Sequence, residues 1–518
     1  MNSIKLRCMV AAVSGALLMG FGANAMADST DDIVNALMAK GVLTEEEGAL
    51  LMKGRAGEKE AAEEKKKSAI TAKFNKGIVF ENGDKTVSFA VGGRVHADYR
   101  YFDRDISDKA TNALIAANSN TSQESDTFDI RRARIELKGK FYDSYEFLIS
   151  TDLAGTSAGN TSSVLDQAWF NINWWKSAQF RFGQFKAPMN LEKVTSSNNI
   201  DFQERSYVNQ LAANEDRGAM VWGIPKDGFT YALGVTSGEG AKNRNDSDPR
   251  VDKVEYIGRG TVNFAEIMGN KDAVYHLGAS GSYTELSKTN TTGASATAPA
   301  AGAAVGGNGY ISGTNGFRTE ARGLTFLTLP AITSALNVDN GIERTRYGIE
   351  GAFAQGPFKF QSEWLRNKFE GDTSTTASFD KNIDAWYVEA LWLVTGEKYA
   401  DSYKEGAFGG ITPKNNFAMG KDGIGAWELG LRYSKLDAND FKSFSSANAA
   451  ATPNVTKIAL GTNTLEVDAW TLGLKFIPTP NTRFLLNYIQ TNFDTPITIA
   501  GKQEDKERAI TMRAQWNF

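Results

Sequence analysis

The chain has 518 residues, 57 Lys and Arg against 61 Asp and Glu, a formal net charge of −4, 50 glycines, one cysteine and two histidines. Cys8 is the only thiol and His96 and His276 are the only imidazoles, so the sequence gives no basis for a disulfide framework, a thiolate metal site or a multi-histidine cluster. The slightly acidic balance carries no electrostatic footprint for nucleic acid.

Residues 1–27 read as a secretory signal. Lys5 and Arg7 form a basic start, Met9–Gly22 an apolar run too short to span a membrane, and Ala25-Met26-Ala27 a cleavage site. Cleavage removes Cys8 and takes the net charge from −4 to −6, through loss of Lys5 and Arg7. Residues 28–73 then differ from everything that follows. Ile33, Val34, Leu37 and Met38, then Val42 and Leu43, then Leu50 and Leu51, recur at helical spacing, with breaks expected at Gly41 and Gly54. Glu58–Lys67 is almost pure Glu, Ala and Lys, helix-prone but without an apolar stripe. A periplasmic helical segment with a charged connector fits. Its role is open between an oligomerisation or cell-wall-facing element and a flexible leader.

From residue 74 the period changes to two. Val87, Phe89, Val91, Val95, Ala97, Tyr99 and Tyr101 share one face, and Ser88, Arg94, His96, Asp98 and Arg100 share the other. Ala133–Phe141 alternates apolar or Gly with charged residues. Trp427, Leu429, Leu431 and Tyr433 oppose Glu428, Arg432 and Ser434, and Trp470, Leu472, Leu474 and Phe476 oppose Thr471 and Lys475. Aromatics at Trp174-Trp175, Tyr99-Arg100-Tyr101 and Trp386-Tyr387 are placed at strand ends, as an interfacial girdle requires. Polar stretches 103–126, 237–253, 286–316, 369–382 and 440–463 read as long loops at one end, with tight turns such as Pro478-Thr479-Pro480-Asn481 at the other. The chain ends on a clean alternation in which Ile510, Met512, Ala514, Trp516 and Phe518 share a face against Arg513, Gln515 and Asn517. One such strand also suits the edge of a soluble sandwich. About 27 residues per strand and connection gives about sixteen strands, and a sheet with one apolar face in lipid must close. The expectation is an all-β, sixteen-stranded antiparallel transmembrane barrel over residues 74–518.

Catalytic raw material is scarce. His96 lies on a wet strand face and reads as a pore-wall residue sooner than a general base. Basic residues carry the stronger signal: Arg94, the burst Arg131, Arg132 and Arg134, Lys186 and Lys193 around Pro188, and Arg205. Guanidinium groups grip oxyanions bidentately and keep their charge, which suits an anion site in a wide wet lumen. Ordinary pore-wall charge of mixed sign remains the alternative.

Gly92-Gly93-Arg94-Val95-His96-Ala97-Asp98-Tyr99, Arg131-Arg132-Ala133, Tyr145–Leu153, Phe182-Gly183-Gln184-Phe185, Leu191-Glu192-Lys193-Val194-Thr195-Ser196-Ser197 and Gly425-Ala426-Trp427-Glu428-Leu429 resemble the phosphate- and polyphosphate-selective porin family (porin O/P). The resemblance runs in order over about residues 75–518. It implies a homotrimeric outer-membrane porin whose third extracellular loop folds inward to an Arg- and Lys-lined constriction for phosphate or polyphosphate. It further implies outer-membrane lipid and the assembly machinery that reads a terminal Phe518 as partners, and no cofactor or metal. Carried over by position, Arg94, Arg131 and Arg132 become wall residues of the constriction, with Lys193 and Arg205 on an inward loop at about 190–216. Lys85 and Asp166 match family positions too, Asp166 as an acidic partner orienting the basic groups.

Two departures bear on selectivity. The family's phosphate-narrow members carry aromatics where this chain has Arg134 and Lys186, which changes both width and charge and favours larger or more highly charged anions. Strand parity also sets conditions: Arg131 and Asp166 fall on the apolar face of their strands and reach the lumen only through a local irregularity. A general porin without a specific site, an envelope structural protein gripping through residues 28–73, and, more remotely, a hydrolase using His96 are the competing readings.

Overall fold

The structure, a computed structural model, describes residues 29–74, 77–103, 126–154, 164–238, 254–286, 307–310, 316–334, 342–374, 376–445, 455, 457–499 and 502–518. The leader 1–27 and most of the polar stretches 103–126, 237–253 and 286–316 lie outside the described residues. The chain divides into two compact units, the smaller comprising residues 1–71 and 81–85.

The smaller unit holds two helices, α1 (Ser29–Ala39) and α2 (Glu45–Ser68). Gly41, with φ 68°, ends the first as expected. Gly54 does not end the second. Thr44 and Glu47 form a reciprocal capping box, with Glu47 N–H on Thr44 Oγ1 at 3.2 Å and Thr44 N–H on Glu47 Oε2 at 3.1 Å. The Glu/Ala/Lys run then carries the helix through a glycine that costs only about 1 kcal/mol.

The larger unit is a closed barrel of sixteen antiparallel strands: β1 (Val87–Phe102), β2 (Thr127–Phe141), β3 (Tyr145–Asp152), β4 (Val164–Trp175), β5 (Ala178–Lys186), β6 (Glu215–Lys226), β7 (Phe229–Thr236), β8 (Glu255–Asn263), β9 (Ala273–Leu286), β10 (Ile342–Gln355), β11 (Phe358–Ser374), β12 (Ala377–Leu393), β13 (Ala426–Asp437), β14 (Glu466–Thr479), β15 (Thr482–Ile499) and β16 (Lys502–Asn517). Neighbours in sequence pair, and β16 closes on β1 in the register Ala509↔Phe102 to Asn517↔Arg94. At the seam Gly93 N–H donates to Phe518 O at 2.8 Å and Phe518 N–H returns to Gly93 O at 3.1 Å. A Cβ at Gly93 would stand 2.8 Å from the Phe518 ring, so the terminal aromatic needs glycine there.

The barrel is inside out relative to a soluble sandwich. Leu431, Leu472, Leu486 and Met512 are 41–56% exposed on the outer wall, while Arg432, Thr471, Asn487 and Arg513 are 0–2% exposed inside it. That much contiguous apolar surface is tolerable in lipid and not in water.

Three features depart from the sequence expectations. The stretch 369–382 is a hairpin, with Phe369 paired to Lys381 and Glu370 to Asp380. Its polar outer face is knit by Lys368 to Glu370 (2.8 Å) and Asp380 (3.2 Å), so no apolar alternation marks it. Trp386 and Tyr387 lie within β12 and point opposite ways. Trp386 packs outside on Tyr433, and Tyr387 is buried in the lumen. At the end carrying the short turns, the connection 394–425 is long and folds inward, burying Tyr399 and Phe408. Its anchors are Tyr399 Oη to Glu428 (2.9 Å), Tyr403 Oη beside His276 Nδ1 (2.7 Å), and Gly406 O accepting from Arg259 (2.8 Å). From the other end, residues 187–214 and 316–329 also enter the lumen, and Tyr207 meets Phe326 edge to face at 5.8 Å.

Leu431→Arg, mid-strand on the outer wall, is expected to lower folding stability in lipid by about 2–4 kcal/mol. Thr495→Arg, in the long-loop region of β15, is expected to cost far less. Denaturant titration of barrel insertion into vesicles measures both.

Candidate functional site

The two parity conditions are met by β-bulges. β1 pairs His96 with Arg132 and then Ala97 with Ile130, so Arg131 is the extra residue of a bulge. β3 likewise pairs Ser150 with Gln167 and then Thr151 with Leu165, skipping Asp166. Each bulge turns inward a side chain that regular alternation would send to lipid. Arg131 and Arg132 consequently both face the lumen, next to each other in sequence.

The inward loop, residues 187–214, crosses to this wall and is tied to it by polar contacts. Arg94 Nη1 donates to Ser197 Oγ at 2.9 Å and its Nη2 pairs with Glu136. Arg131 Nε donates to Glu204 Oε1 at 2.8 Å. Arg513 brackets the same region, donating to Asp98 (2.7 and 2.8 Å), to Gln203 O (2.6 Å) and to Glu204 (3.2 Å). Burial alone would raise the Glu204 carboxyl, but Arg131, with Arg322, Arg513 and Arg132 behind it, holds it well below the usual carboxylate range.

His96 Nε2 lies 3.1 Å from Asn198 Oδ1, and its Nδ1 lies 3.5 Å from Arg132 Nη1. A neutral imidazole protonated on Nε2 satisfies both. Held this way, His96 is a wall residue joining the loop to Arg132.

The cations divide by partner. Arg134 is doubly paired, Nε to Asp152 Oδ2 at 2.8 Å and Nη1 to Asp166 Oδ2 at 2.6 Å. Lys193 sits on Asn214 Oδ1 (2.8 Å) and, more loosely, on Glu215 Oε2 (3.4 Å). Arg205 instead donates to backbone carbonyls, Glu192 O at 2.9 Å and Thr195 O at 2.7 Å, and Lys186 to Val194 O and Thr195 O, both at 3.4 Å. Arg132, Arg205 and Lys186 have no carboxylate partner among the described residues. Arg205, Lys193, Arg94 and the Glu215 carboxylate all lie within electrostatic range of Lys186. Carbonyl dipoles hold Arg205 and Lys186, and His96 holds Arg132, so none of the three is bonded to a carboxylate and each keeps donor capacity for a third party. The two positions where aromatics are replaced by cations are therefore unlike: Arg134 is neutralised by two carboxylates, Lys186 is not.

Arg94, Arg131, Arg132, Arg134, Asp166, Lys186, Lys193 and Arg205 thus gather around the inward loop. Lys85 is different. It belongs to the smaller unit, exposed in a turn with φ 61°, its N–H on Asn82 O at 3.0 Å. Sequence reasoning did not find Glu204, Glu215 or Glu320, and it put Arg432 on a wet face without giving it a role. Arg432 Nη2 pairs with Glu320 Oε2 at 2.7 Å, fastening the second inward segment. Acidic loop residues carry no periodic signal, and only the wall arginines opposite them hint at their use. Among the described residues no group of His, Cys, Asp and Glu could hold a metal ion.

The model of the family described as phosphate-selective porin O and P matches residues 89–518. Porin O of Pseudomonas aeruginosa is 30% identical over 381 residues, covering 72% of this chain and 77% of that protein. An uncharacterised protein of Caulobacter vibrioides is 29% identical over 146 residues, 28% of this chain and 24% of its own length. Among solved structures, the outer-membrane channel DcaP of Acinetobacter baumannii aligns with a TM-score of 0.45 at 10% identity, over 83% of this chain and 97% of that one. OmpT of Vibrio cholerae aligns at 0.45 and 10%, over 84% and 98%.

Glu204→Ala strips Arg131 and Arg513 of their shared loop carboxylate in a largely buried setting. It is expected to destabilise the barrel by about 3 kcal/mol, with Glu204→Gln intermediate, as read by thermal loss of heat-modifiable gel migration.

Proposed function

The chain belongs to the phosphate-selective porin O and P family, and on that premise we propose that it conducts phosphate or polyphosphate passively through a constriction lined by Arg94, Arg131, Arg132, Arg134, Lys186, Lys193 and Arg205, with Asp166 as their acidic partner. It is an outer-membrane β-barrel, and the family is one of channel proteins, not of enzymes. The observation that carries the reading is the division among its cations: Arg205 lies near both Arg132 and Lys186, and none of the three is bonded to a carboxylate, Glu204 and Glu215 acting on them only from a distance. An anion entering that cluster supplies the missing counter-charge and makes charge-assisted hydrogen bonds worth roughly 1.5–3 kcal/mol each. Arg134, already paired with Asp152 and Asp166, shapes the wall more than it binds. Release follows because several cations share the anion and none encloses it, the multi-site condition for conduction.

Lys186 in place of an aromatic adds a charge at this point, which favours more highly charged anions such as polyphosphate over orthophosphate. Removal of residues 1–27 as a signal, a homotrimeric assembly, recognition of Phe518 by the assembly machinery and a periplasmic place for residues 28–73 belong to the same reading. An alternative, a general porin of the same fold, predicts no phosphate block.

In planar bilayers, phosphate is expected to block chloride current, and Arg132→Ala or Lys193→Ala to raise the half-blocking concentration roughly tenfold. Unblocked chloride current with unchanged ion preference in both variants would remove the specific site and leave the general porin. Deleting residues 28–73 behind the signal is expected to leave conductance and block intact. Loss of envelope attachment in that deletion, measured by release of the barrel on mild detergent treatment, would identify the segment as an anchor.

A further inference from the structure

Across the lumen from the arginines, one carboxylate collects an exceptional number of donors. Glu363, on β11, is 1% exposed. Its Oε1 accepts from Glu192 N–H at 2.7 Å, from the Tyr387 hydroxyl at 2.6 Å and from Gln361 Nε2 at 3.3 Å, and its Oε2 accepts from Asn190 Nδ2 at 2.6 Å. A buried carboxyl group on the wall of an anion pathway offers the solute no attraction of its own, so its presence calls for another use. The pattern of donors supplies one. Two of the four come from the inward loop, at the start of the single helical turn Leu191–Val194.

The other end of that turn faces the cations. Its carbonyls at Glu192 and Val194, with Thr195 next to them, are the groups that hold Arg205 and Lys186. Lys193 lies within the turn itself. One short turn is therefore clasped on its amide side by a buried carboxyl group and on its carbonyl side by two cations that bond to no carboxylate among the described residues. Gln361 and Tyr387 fix the carboxylate in turn, the Gln361 amide donating to the Tyr387 hydroxyl at 2.5 Å. Both flank it from the wall, on β11 and β12, so Glu363 is held from the wall as well as from the loop.

We propose that Glu363 is a positioning residue for anion selectivity: by seating the Leu191–Val194 turn, it sets Lys193, Arg205 and Lys186 at the spacing that receives the anion. The inference rests on the basic cluster being the anion site, as argued above. It assigns a buried carboxyl group of the wall a part in selecting anions. Glu363 acts entirely through the turn and does not meet the solute.

The test uses the full-length channel in planar bilayers, reading the phosphate concentration that half-blocks chloride current. Glu363→Gln keeps the shape and replaces one acceptor oxygen by a donor NH2, which opposes either Asn190 or the Glu192 N–H and Tyr387 hydroxyl that the carboxyl group accepts from. The half-blocking concentration is expected to rise roughly tenfold. In a Lys193→Ala background the same change is expected to add under about threefold, because both act on one loop position. Glu370→Gln, on the outer hairpin, is the control and leaves block unchanged. Should Glu363→Gln fail to give a heat-modifiable barrel, Asn190→Ala removes one loop donor and is expected to raise the value about threefold. Native block that Lys193→Ala weakens, combined with no effect of Glu363→Gln, overturns the positioning role alone. So does an effect that multiplies in full with that of Lys193→Ala. Native channels that phosphate does not block would overturn the site reading and this inference together.

Discussion

In a hydrocarbon layer no water is present to take up an unpaired amide, so a sheet that enters lipid must join its own edges. Here the join is β16 on β1, finished by the reciprocal bonds of Gly93 with Phe518. Closure dictates the rest. Once the cylinder is sealed, every second side chain points into an enclosed space, and whatever that space contains must be satisfied from within. Apolar residues go outward by default; the inward set is left with arginines, glutamates and amides that have only one another, the loops and water.

The lumen solves this by recruiting its own connections. Residues 187–214 and 316–329 descend from one end and 394–425 enter from the other, and each brings both kinds of filling. Tyr207, Phe326 and their neighbours make a small apolar core inside the barrel. Glu204 and Glu320 supply carboxylates to Arg131, Arg513 and Arg432. Most of the lumenal charge is thereby spent on construction. The proposed function draws on the remainder, the few cations held by carbonyls or by a histidine. Charge count alone would have ranked Arg134 with Lys186, yet two carboxylates separate them.

Much of this was legible in the chain. The period-two alternation of β1, β13, β14 and β16 gave the right faces, and the aromatic at Phe518 gave the right seam. Parity even marked where regularity had to fail, at Arg131 and Asp166, because a charged residue on a lipid face costs more than a bulge. What stayed hidden has a common cause. The hairpin at 369–382 has a polar outer face and only Phe369 and Phe379 as buried aromatics within, so the apolar-out alternation is lost. The inward segments 316–329 and 394–425, and the roles of Glu204 and Glu363, depend on contacts between residues from tens to hundreds of positions apart, for which no local spacing exists. Gly54 misled for the opposite reason: a local breaker was outweighed by a capping box and a strongly helical run.

The connection 394–425 carries one more consequence. Because it reaches up from the short-turn end while the inward loop reaches down from the other, the water-filled path is narrowed from both sides. For the channel proposed above, such a narrow reach is in electrical terms the largest resistance in series along the path. A membrane potential would fall mainly across it, with a field steeper than the barrel's height suggests. The inserted connection, which shares a buried apolar cluster with Leu191 of the inward loop, would then set through its length how strongly voltage drives ions.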